Sequence, residues 1–334
     1  MIHVVPITLL LINNKAYKFI IAGDPMQIKP VTPENVTERN IYDMVGLSSF
    51  KKAIEGKCKY PVDILDTQHR SVSIIGNMVS QFAYDGKLKN DINRQPHKVL
   101  QLPGLQVSTV NTIGYSVEEM GLLYGFNPVE KSSVHIYSAV FAYEFAKYIA
   151  NTVKVSHSDI DYTIGIVSPY GKQADAIKQM LEASPIDTSN CKVKCGTVHK
   201  FQGGECDIMI VVMNYPSTNS GWNANINKQN IMNVAMSRAK DYVFFLMPLV
   251  PLENSKDKKP TYLMSNWLAK VLPDNFQKSY AHEIEKTIFN NMSYIQENTS
   301  IRCHLPVNVS SGMSKRYEIR LSDTALDIQL NNDK

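Results

Sequence analysis

Short apolar runs rich in β-branched residues alternate with amphipathic stretches along most of this chain. In the amphipathic stretches the apolar residues recur at helical spacing. This alternation is typical of an α/β fold, in which helices cover both faces of a parallel sheet. The predicted strands are Lys18–Ala22, Val62–Asp66, Ser133–Tyr137, Thr163–Val167, Lys192–Thr197, Ile208–Met213 and Tyr242–Met247. The predicted helices are Ile74–Phe82, Phe141–Val153, Gly171–Glu182 and Asn230–Arg238.

Changes in composition divide the chain into four predicted parts. A boundary near Pro61 separates residues 1–60, interpreted as the end of a first α/β domain, from a nearly complete second domain at 61–248. Residues 249–260 are rich in proline and charge, which is typical of a linker. Residues 261–334 form an accessory α+β tail to which no motif gives a role. Its predicted helices are Tyr262–Val271 and Phe276–Phe289, and its predicted strands are Ile301–Val309, Arg316–Leu321 and Ala325–Leu330.

The bulk composition limits the class of protein without choosing one. The 334 residues are 44% hydrophobic, which is enough for a sizeable core, and carry a formal charge of +4. That charge permits nucleic-acid binding but does not argue for it, because such proteins concentrate charge on one face. Five cysteines in a chain of this length do not make a disulfide framework, so we expect a reducing, cytoplasmic setting. The apolar run Val4–Ile12 is too short to span a bilayer, so we expect no membrane association. We also expect a monomer.

Cys191, Cys195 and Cys206 lie close in sequence to His199, and a zinc site is one interpretation of this cluster. The spacing matches no CxxC pair, and Cys191 and Cys195 fall on one face of a predicted strand. Buried free thiols are therefore the favoured interpretation, and we predict no metal site.

Residues 23–31, with the sequence GDPMQIKPV, carry the most specific motif. A predicted strand ends in Gly-Asp and is followed by a Gln and a Pro-Val turn. This arrangement resembles motif III of superfamily 1 helicases, in which the Gln senses the γ-phosphate of ATP. The resemblance implies that Gln27 holds the γ-phosphate or the attacking water, and that Gly23 and Asp24 lie at the nucleotide.

Further segments strengthen the resemblance and occur in the order of the family. LDTQHR at 65–70 is similar to L-x-x-Q-Y-R, FAYDGKL at 82–88 to F-Y-x-G-x-L, and IGIVSPYGKQ at 164–173 to G-I-I-T-P-Y-x-x-Q. GTVHKFQGGECD at 196–207 is similar to T-V-D-x-F-Q-G-x-E-x-D, and NVAMSRAK at 233–240 to motif VI, N-V-A-L-T-R-A-R. One match would be weak, but a series in order is specific. The chain resembles the C-terminal portion of the branch that contains the nonsense-mediated-decay helicase and the Dna2-like and Sen1-like proteins.

The resemblance implies a RecA-like P-loop NTPase fold, as a second motor domain with a short α+β C-terminal extension. It also implies that Arg70 and Arg238 are arginine fingers. ATP hydrolysis builds negative charge on the γ-phosphoryl oxygens, and the planar fork of Arg binds such oxygens in pairs. The other nucleotide contacts that the resemblance implies are Gln68, His69, Gly203 and Glu205. For Glu205 there is an alternative role, because a carboxylate in a turn can simply complement backbone amides of the protein.

The resemblance further implies a track for single-stranded DNA or RNA across both domains. Single strands are held by phosphate contacts and by stacking. Tyr170 is read equally well as a half-buried residue whose hydroxyl is satisfied by the protein. Lys240 takes the place of the second Arg of motif VI and is predicted to be only a surface charge. The expected contacts to the strand are Pro30, Val31, Ser168, Pro169, Tyr170, Thr197, His199 and Lys200.

Two motifs of the family are absent from these 334 residues. There is no G-x-x-x-x-G-K-[ST] and no D-E-A-x before a strand end, so the chain has neither a phosphate-cradling loop nor the Mg²⁺ carboxylates. We therefore predict a truncated part of a longer helicase or translocase, with ATP and Mg²⁺ bound mainly outside it and no ATP hydrolysis by this chain alone. One alternative is a non-catalytic nucleic-acid-binding module without the ATPase front domain. Another, a Rossmann-type oxidoreductase or methyltransferase, needs a G-x-G-x-x-G that the chain lacks.

Overall fold

The structure is a computed structural model, and it describes twelve parts of the chain: residues 23–24, 26–28, 63–95, 99–116, 122–127, 130–156, 159–186, 189–213, 225–249, 268–304, 316–321 and 326–330. The predicted strand Lys18–Ala22, the candidates Pro30 and Val31, and residues 250–260 of the predicted linker lie outside these parts.

The described strands in chain order are β1 (Thr67–Gln68), β2 (Lys89–Asn90), β3 (Val110–Ser116), β4 (Leu122–Asn127), β5 (Glu130–His135), β6 (Tyr162–Ser168), β7 (Cys191–Thr197), β8 (Cys206–Val212), β9 (Ala239–Leu249), β10 (Gln277–Tyr280), β11 (Thr299–His304), β12 (Arg316–Leu321) and β13 (Leu326–Leu330). The fully described helices are α1 (Ser73–Ala83), α2 (Ile136–Ser156), α3 (Gly171–Ala183), α4 (Gln229–Met236), α5 (Ala281–Phe289) and α6 (Tyr294–Asn298). Among the described helices, none has the length and apolar content needed to cross a membrane.

Six strands form one sheet, in the spatial order β10, β3, β9, β8, β6, β7, and every neighbouring pair is parallel. All seven residues of β8 are buried, because strands flank it on both sides and helices cover both faces. The parallel sheet between helices confirms the predicted α/β class.

The two faces of the sheet carry two separate apolar cores. Helices α2, α3 and α5 pack on one face, and helices α1 and α4 pack on the other. Along β8, Ile208, Ile210 and Val212 belong to the first core, whereas Met209 and Val211 belong to the second. This division follows from the two-residue period of a strand. Ile28, from the motif III segment, is buried in the second core with α1 and α4.

The predictions for the second half of the sheet and its helices are confirmed within a few residues. Helix ends differ most, as for α2, which begins five residues before the predicted Phe141 because Ile136–Val140 continue its buried face. The confirmed strands are Thr163–Val167, Lys192–Thr197, Ile208–Met213 and Tyr242–Met247, on β6 to β9. The confirmed helices are Ile74–Phe82, Phe141–Val153, Gly171–Glu182 and Asn230–Arg238, on α1 to α4.

Between residues 61 and 137 one strand prediction is wrong and another is confirmed only in part. Residues 63–66 are not a strand, and Leu65 is 94% exposed, so this apolar run does not pack into the sheet. The segment predicted as Ser133–Tyr137 ends as a strand at His135, and it pairs antiparallel with β4 outside the main sheet. Ile136 and Tyr137 instead begin α2, where both are buried.

The tail contributes to the main sheet. The predicted helix Phe276–Phe289 is wrong over its first part, because Gln277–Tyr280 pairs parallel with β3 before α5 begins. The hydroxyl of Tyr137 and the backbone N–H of Ile295 both donate to the buried carboxyl of Glu285, which ties α5 to α2. The predicted tail strands correspond to β11–β13, a separate antiparallel sheet. The domain boundaries at 60, 248 and 260 stay predictions.

Candidate functional site

The predicted nucleotide residues converge at the edge of the sheet where β8 and β9 begin. Glu205 immediately precedes β8, and Arg238 lies in the turn between α4 and β9. Arg70 lies just before α1, and the hydroxyl of its neighbour Ser71 donates to the carbonyl of Ala239 at 2.6 Å. Three segments that are distant in sequence therefore meet at this edge.

Arg238 is deeply buried, with 2% of its surface exposed. Its Nε and Nη1 donate to the carbonyls of Val234 and Gly204, both at 3.3 Å, and its Nη2 donates to Gln27 Oε1 at 3.4 Å. None of these three acceptors carries a formal charge. Burial, and then the positive charge of Arg70, lower the pKa of Arg238 to about 10.

Arg70 is held from two sides beside Arg238. Its Nε donates to Glu205 Oε2 at 3.0 Å, and its Nη1 donates to the carbonyl of Ser237 at 3.0 Å. The other oxygen of Glu205 lies 3.7 Å from the Nζ of Lys240. Both oxygens of Glu205 therefore face cations of the protein, which makes this carboxylate a support for Arg70 in this structure.

Gln68 lies behind Arg70 and fixes its backbone. The Oε1 of Gln68 accepts from the backbone N–H groups of Arg70 at 3.0 Å and Ser71 at 2.8 Å. Its Nε2 donates to the carbonyl of Ser71 and to Asn90 Oδ1, both at 2.8 Å. The side-chain amide of Gln68 is thus used inside the protein, and a direct contact with nucleotide stays a prediction.

A buried ion pair, which the sequence analysis missed, also supports Arg70. The Nη2 of Arg94 lies 2.7 Å from Asp241 Oδ1, and the two side chains are 6% and 0% exposed. The Nε of Arg94 donates to the carbonyl of Arg70 at 2.8 Å. Neither Arg94 nor Asp241 lies in a segment with motif similarity, so no sequence signal pointed to them. A buried charge that loses its partner is energetically costly. This ion pair therefore favours the one arrangement of the Arg70 backbone and Arg94 in which both charges stay paired.

His69 and Gly203 differ in where they lie relative to the two arginines: the His69 side chain lies on the exposed outer side, and Gly203 lies next to them. The side chain of His69 is 71% exposed, and its Nδ1 lies 2.8 Å from Asp91 Oδ2, on the outer rim. Gly203 lies in the turn before Glu205 with φ of +90°, a conformation that glycine adopts readily. No atom of the described residues lies within 4 Å of a Cβ placed on Gly203. The turn therefore presents backbone without a side chain next to the arginines.

The described part of the motif III segment, residues 23–24 and 26–28, contacts Arg238 directly. Gln27 Nε2 donates to Asp24 Oδ2 at 3.0 Å, and Gln27 Oε1 accepts from Arg238 at 3.4 Å. Gly23 is exposed at the start of this segment. The structure therefore joins Gln27 to one of the two predicted arginine fingers.

Tyr84 and Asn233 complete this contact, although the sequence analysis gave them no role. The hydroxyl of Tyr84 donates to Asp24 Oδ2 at 2.6 Å. The Nδ2 of Asn233 donates to the carbonyl of Met26 and to the hydroxyl of Tyr84, both at 3.0 Å. Both side chains are buried. Their presence in the FAYDGKL and NVAMSRAK segments was the signal that could have identified them.

The prediction that Lys240 is only a surface charge is wrong. Its Nζ lies 3.0 Å from Asp207 Oδ1, and its side chain is 27% exposed. Partial burial lowers the pKa of Lys240, but the neighbouring carboxylates of Asp207 and Glu205 outweigh it and raise that pKa. Asp207 is itself fixed by the backbone N–H and the hydroxyl of Thr163, at 2.8 and 2.7 Å. Lys240 therefore links Asp207 to the Glu205 carboxylate that holds Arg70.

The predicted nucleic-acid contacts that the structure describes lie at the opposite edge of the sheet, where β6 and β7 end. Ser168 is the last residue of β6, Pro169 and Tyr170 follow it, and all three are buried. The Oγ of Ser168 accepts from the backbone N–H of Tyr170 at 3.2 Å, and burial raises the pKa of Tyr170. The two ends of β6 are about 20 Å apart, since it has seven residues and each step adds about 3.3 Å.

The loop after β7 is the more accessible part of this second edge. His199 and Lys200 are exposed, and Thr197 Oγ1 accepts from the backbone N–H of Lys200 at 3.4 Å. Partial burial, and then the charge of Lys228, lower the pKa of His199, so its ring is neutral at pH 7. Lys200 therefore supplies the positive charge of this loop.

The cysteines near this loop are free thiols. Cys191 and Cys206 are buried, and Cys195 is partly buried. Across the parts of the chain that the structure describes, no three His, Cys, Asp or Glu side chains are grouped as metal ligands.

The donor set at the β8 and β9 edge fits phosphate oxygens. Arg70 and Arg238 carry only N–H donors, and the charge of Arg70 is one cause of the lowered pKa of Arg238. An anion that accepts from both guanidinium groups would relieve this repulsion. The nearby carboxylates of Asp24 and Glu205 are held by protein donors, so they do not form a ligand set for Mg²⁺.

These features define an α/β domain with two arginines at one end of its parallel sheet, and comparison with known proteins gives its family. A family model described as AAA domain matches residues 45–247, which is more than half of the chain. The chain belongs to this family, and its sequence is similar to superfamily 1 helicases of the Dna2-like and Sen1-like kind. The predicted RecA-like fold is consistent with this membership and with the parallel sheet.

Three relatives show the level of similarity. An uncharacterized ATP-dependent helicase of Caenorhabditis elegans is 29% identical over 70% of this chain and 14% of its own length. The DNA replication ATP-dependent helicase/nuclease DNA2 of Bos taurus is 24% identical over 79% of this chain and 26% of its length. Helicase SEN1 of Saccharomyces cerevisiae is 25% identical over 71% of this chain and 10% of its length. The chain therefore spans between 10% and 26% of these relatives.

One solved structure overlaps with part of the fold. The C-terminal domain of a possible DNA helicase from Lactobacillus plantarum WCFS1 aligns with 63% of this chain and 98% of its own chain. The TM-score is 0.31 and the identity is 12%, values too low to add to the family assignment.

Proposed function

We propose that this chain is the second RecA-like half of an ATP-dependent helicase or translocase. In this proposal Arg70 and Arg238 face the γ-phosphate of ATP, and the loops after β6 and β7 form part of a track for single-stranded DNA or RNA. The observation that carries it is the contact between Arg238 and Gln27. A buried guanidinium group with uncharged acceptors meets the amide of motif III, beside a second guanidinium group.

The residues at the β8 and β9 edge would act by positioning positive charge. When bound, ATP supplies the phosphoanhydride bond that is cleaved, and Mg²⁺ neutralises part of its charge. Arg238 and Arg70 would donate to the γ-phosphoryl oxygens, where negative charge develops in the transition state. Gln27 would orient the attacking water through its amide oxygen. Glu205 and Gln68 would hold Arg70 in place from its side chain and its backbone.

The loop after β7 would contribute phosphate contacts to the track. Lys200 offers an exposed cation, and Thr197 a half-buried hydroxyl. Ser168 and Tyr170 are buried, so their contribution would come through the backbone of the loop after β6. Opening and closing of the cleft between two RecA-like domains would then alternate the grip on the strand.

We expect this chain alone to release no phosphate from ATP, with or without nucleic acid. The reason is the absence of a phosphate-cradling loop from its sequence. A steady-state phosphate-release assay on the purified chain measures this. Turnover that survives exhaustive purification and disappears in Arg238→Ala would show that the chain holds a complete site, and would contradict the proposal.

We expect this chain to bind single strands weakly, with little sequence preference and with affinity that falls as salt rises, because its contacts are mostly to phosphates. Lys200→Ala and Thr197→Ala should each weaken binding about equally on all sequences. Fluorescence anisotropy with labelled DNA and RNA strands across a salt series measures this.

A lysine at the other end of β7 provides the matched control for this binding test. Lys192 is exposed like Lys200 but lies at the amino end of the same strand. Lys192→Ala should leave the affinity and its salt dependence unchanged. Sharp sequence preference, or an equal loss in Lys192→Ala, would argue against a phosphate track in the loop after β7.

A further inference from the structure

The side-chain amide of Gln27 is held in one orientation by partners of opposite character. The Asp24 carboxylate, when ionised, only accepts hydrogen bonds, so it must face the Nε2 of Gln27. The Arg238 guanidinium only donates, so it must face the Oε1. A flipped amide would bring oxygen against oxygen and N–H against N–H. Asp24 therefore decides that the amide oxygen of Gln27 lies on the side of Arg238.

Asp24 is in turn held by Tyr84. The Tyr84 hydroxyl donates to Asp24 Oδ2, the same oxygen that accepts from Gln27, and the backbone N–H of Met26 donates to Oδ1 at 2.9 Å. Burial, and then the charge of Asp24, raise the pKa of Tyr84, so the phenol stays protonated and remains a donor near neutral pH. The hydroxyl also accepts from Asn233, which fixes the direction of its proton.

The segment 233–238 therefore forms hydrogen bonds to the motif III segment at two points. Arg238 contacts Gln27 directly. Asn233, five residues earlier, contacts the carbonyl of Met26 and reaches Asp24 through the Tyr84 hydroxyl. Tyr84 comes from a third segment, at the end of α1. Through Asp24 its hydroxyl links the hydrogen bonds of Asn233 to the contact between Gln27 and Arg238.

We propose that Tyr84 is a positioning residue for ATP hydrolysis, which fixes the amide of Gln27 against Arg238 by holding Asp24. This inference rests on the proposed function. In this role Tyr84 acts through Asp24 and Gln27 and not on the nucleotide itself. It therefore affects how often the amide oxygen is in place for the reaction, and it affects nucleotide affinity little.

The first test is Tyr84→Phe in the ATP-hydrolysing protein that contains this chain. We expect kcat to fall by about tenfold to a hundredfold, the range for a slightly misplaced reacting group, while the KM for ATP changes by less than about twofold. Asp24→Asn should lower kcat similarly, and the double variant should lose little more, because both changes act through one contact. Tyr143→Phe is the matched control, since it removes a buried hydroxyl that donates to Ser184 on the other face of the sheet.

The second test does not depend on ATP hydrolysis. Hydrogen exchange in this chain should be about tenfold faster at the amides of Met26 and Gln27 in Tyr84→Phe, and unchanged in Tyr143→Phe. A folded Tyr84→Phe protein with normal kcat, or with unchanged exchange at these amides, would overturn the proposal. A wild-type protein that hydrolyses no ATP would overturn the proposed function, and the catalytic role of Tyr84 with it, even where exchange behaves as expected.

Discussion

Under the proposed function, replacing Arg238 by alanine is expected to lower kcat for ATP by roughly 10³-fold or more in the proposed longer helicase, the effect of a lost arginine finger. The guanidinium group is buried, its acceptors are uncharged, and it touches Gln27, so its charge is available to the γ-phosphoryl oxygens. Nucleotide affinity should fall far less, because the group acts on charge that develops in the transition state. Steady-state phosphate release over a range of ATP concentrations, together with separate nucleotide binding, measures both effects.

Arg238→Lys separates charge from geometry in this experiment. Lysine keeps the positive charge but cannot donate to Val234, Gly204 and Gln27 from one planar fork, so we expect it to restore no more than about a tenth of the lost rate. Lys178→Ala is the control, because Lys178 forms an exposed pair with Glu182 on α3 and should leave kcat unchanged. A normal kcat with a raised KM in Arg238→Ala would contradict the assigned role.

Arg70→Ala is expected to have the second large effect, again a loss of roughly 10³-fold in kcat with a small change in nucleotide affinity. Arg70 is more exposed than Arg238 but is held by Glu205 and by the carbonyl of Ser237, which together fix Nε and Nη1. The same phosphate-release assay measures this, with unfolding monitored in parallel because the Arg70 backbone also accepts from Arg94.

Glu205→Gln distinguishes support of Arg70 from a direct role of the carboxylate. Glutamine can still accept from Arg70 Nε, although it loses the charge that also faces Lys240, so a fall in kcat of about tenfold is expected. A loss as large as that of Arg70→Ala would show that Glu205 itself contacts the reacting groups. Equal activity in Arg70→Ala and wild type would remove Arg70 from the proposed mechanism.

The part of the fold that the sequence predicts is the part in which burial dictates composition. The strands β6, β8 and β9 are largely buried and read as apolar runs, and the helices between the strands carry a clear apolar period. The outermost strand β7 instead alternates exposed lysines with more buried residues, which is the two-residue period of a strand. The strand β3 was missed because its sequence, VNTIGYS, mixes polar and apolar residues although most of it is buried. The strand β10 was missed because four residues at an edge, three of them partly buried, leave no apolar run.

The candidate site was predictable where a motif fixes residue type and spacing, and not where it depends on contacts between segments. Arg70, Glu205 and Arg238, each named from a motif, meet at one edge, and their roles stay predictions. Tyr84 and Asp24 are 60 residues apart, and no spacing along the chain reports their hydrogen bond. Lys240 is a second example. Its charge suggested a solvent-exposed side chain, whereas the fold places Asp207 and Glu205 beside it.

Strand β10 is an outermost strand of the main sheet, and this position bears on how the protein behaves when it is shortened. In the described part of the sheet, β7 ends one side and presents exposed Lys192 and Lys194, which discourage pairing with another chain. On the other side β10 covers β3, whose residues are mostly buried and carry no charge. A fragment that stops at residue 248 would uncover the backbone N–H and C=O groups along that edge of β3. Such a fragment would aggregate through strand-to-strand contacts between molecules, so a usable minimal domain has to extend through Tyr280.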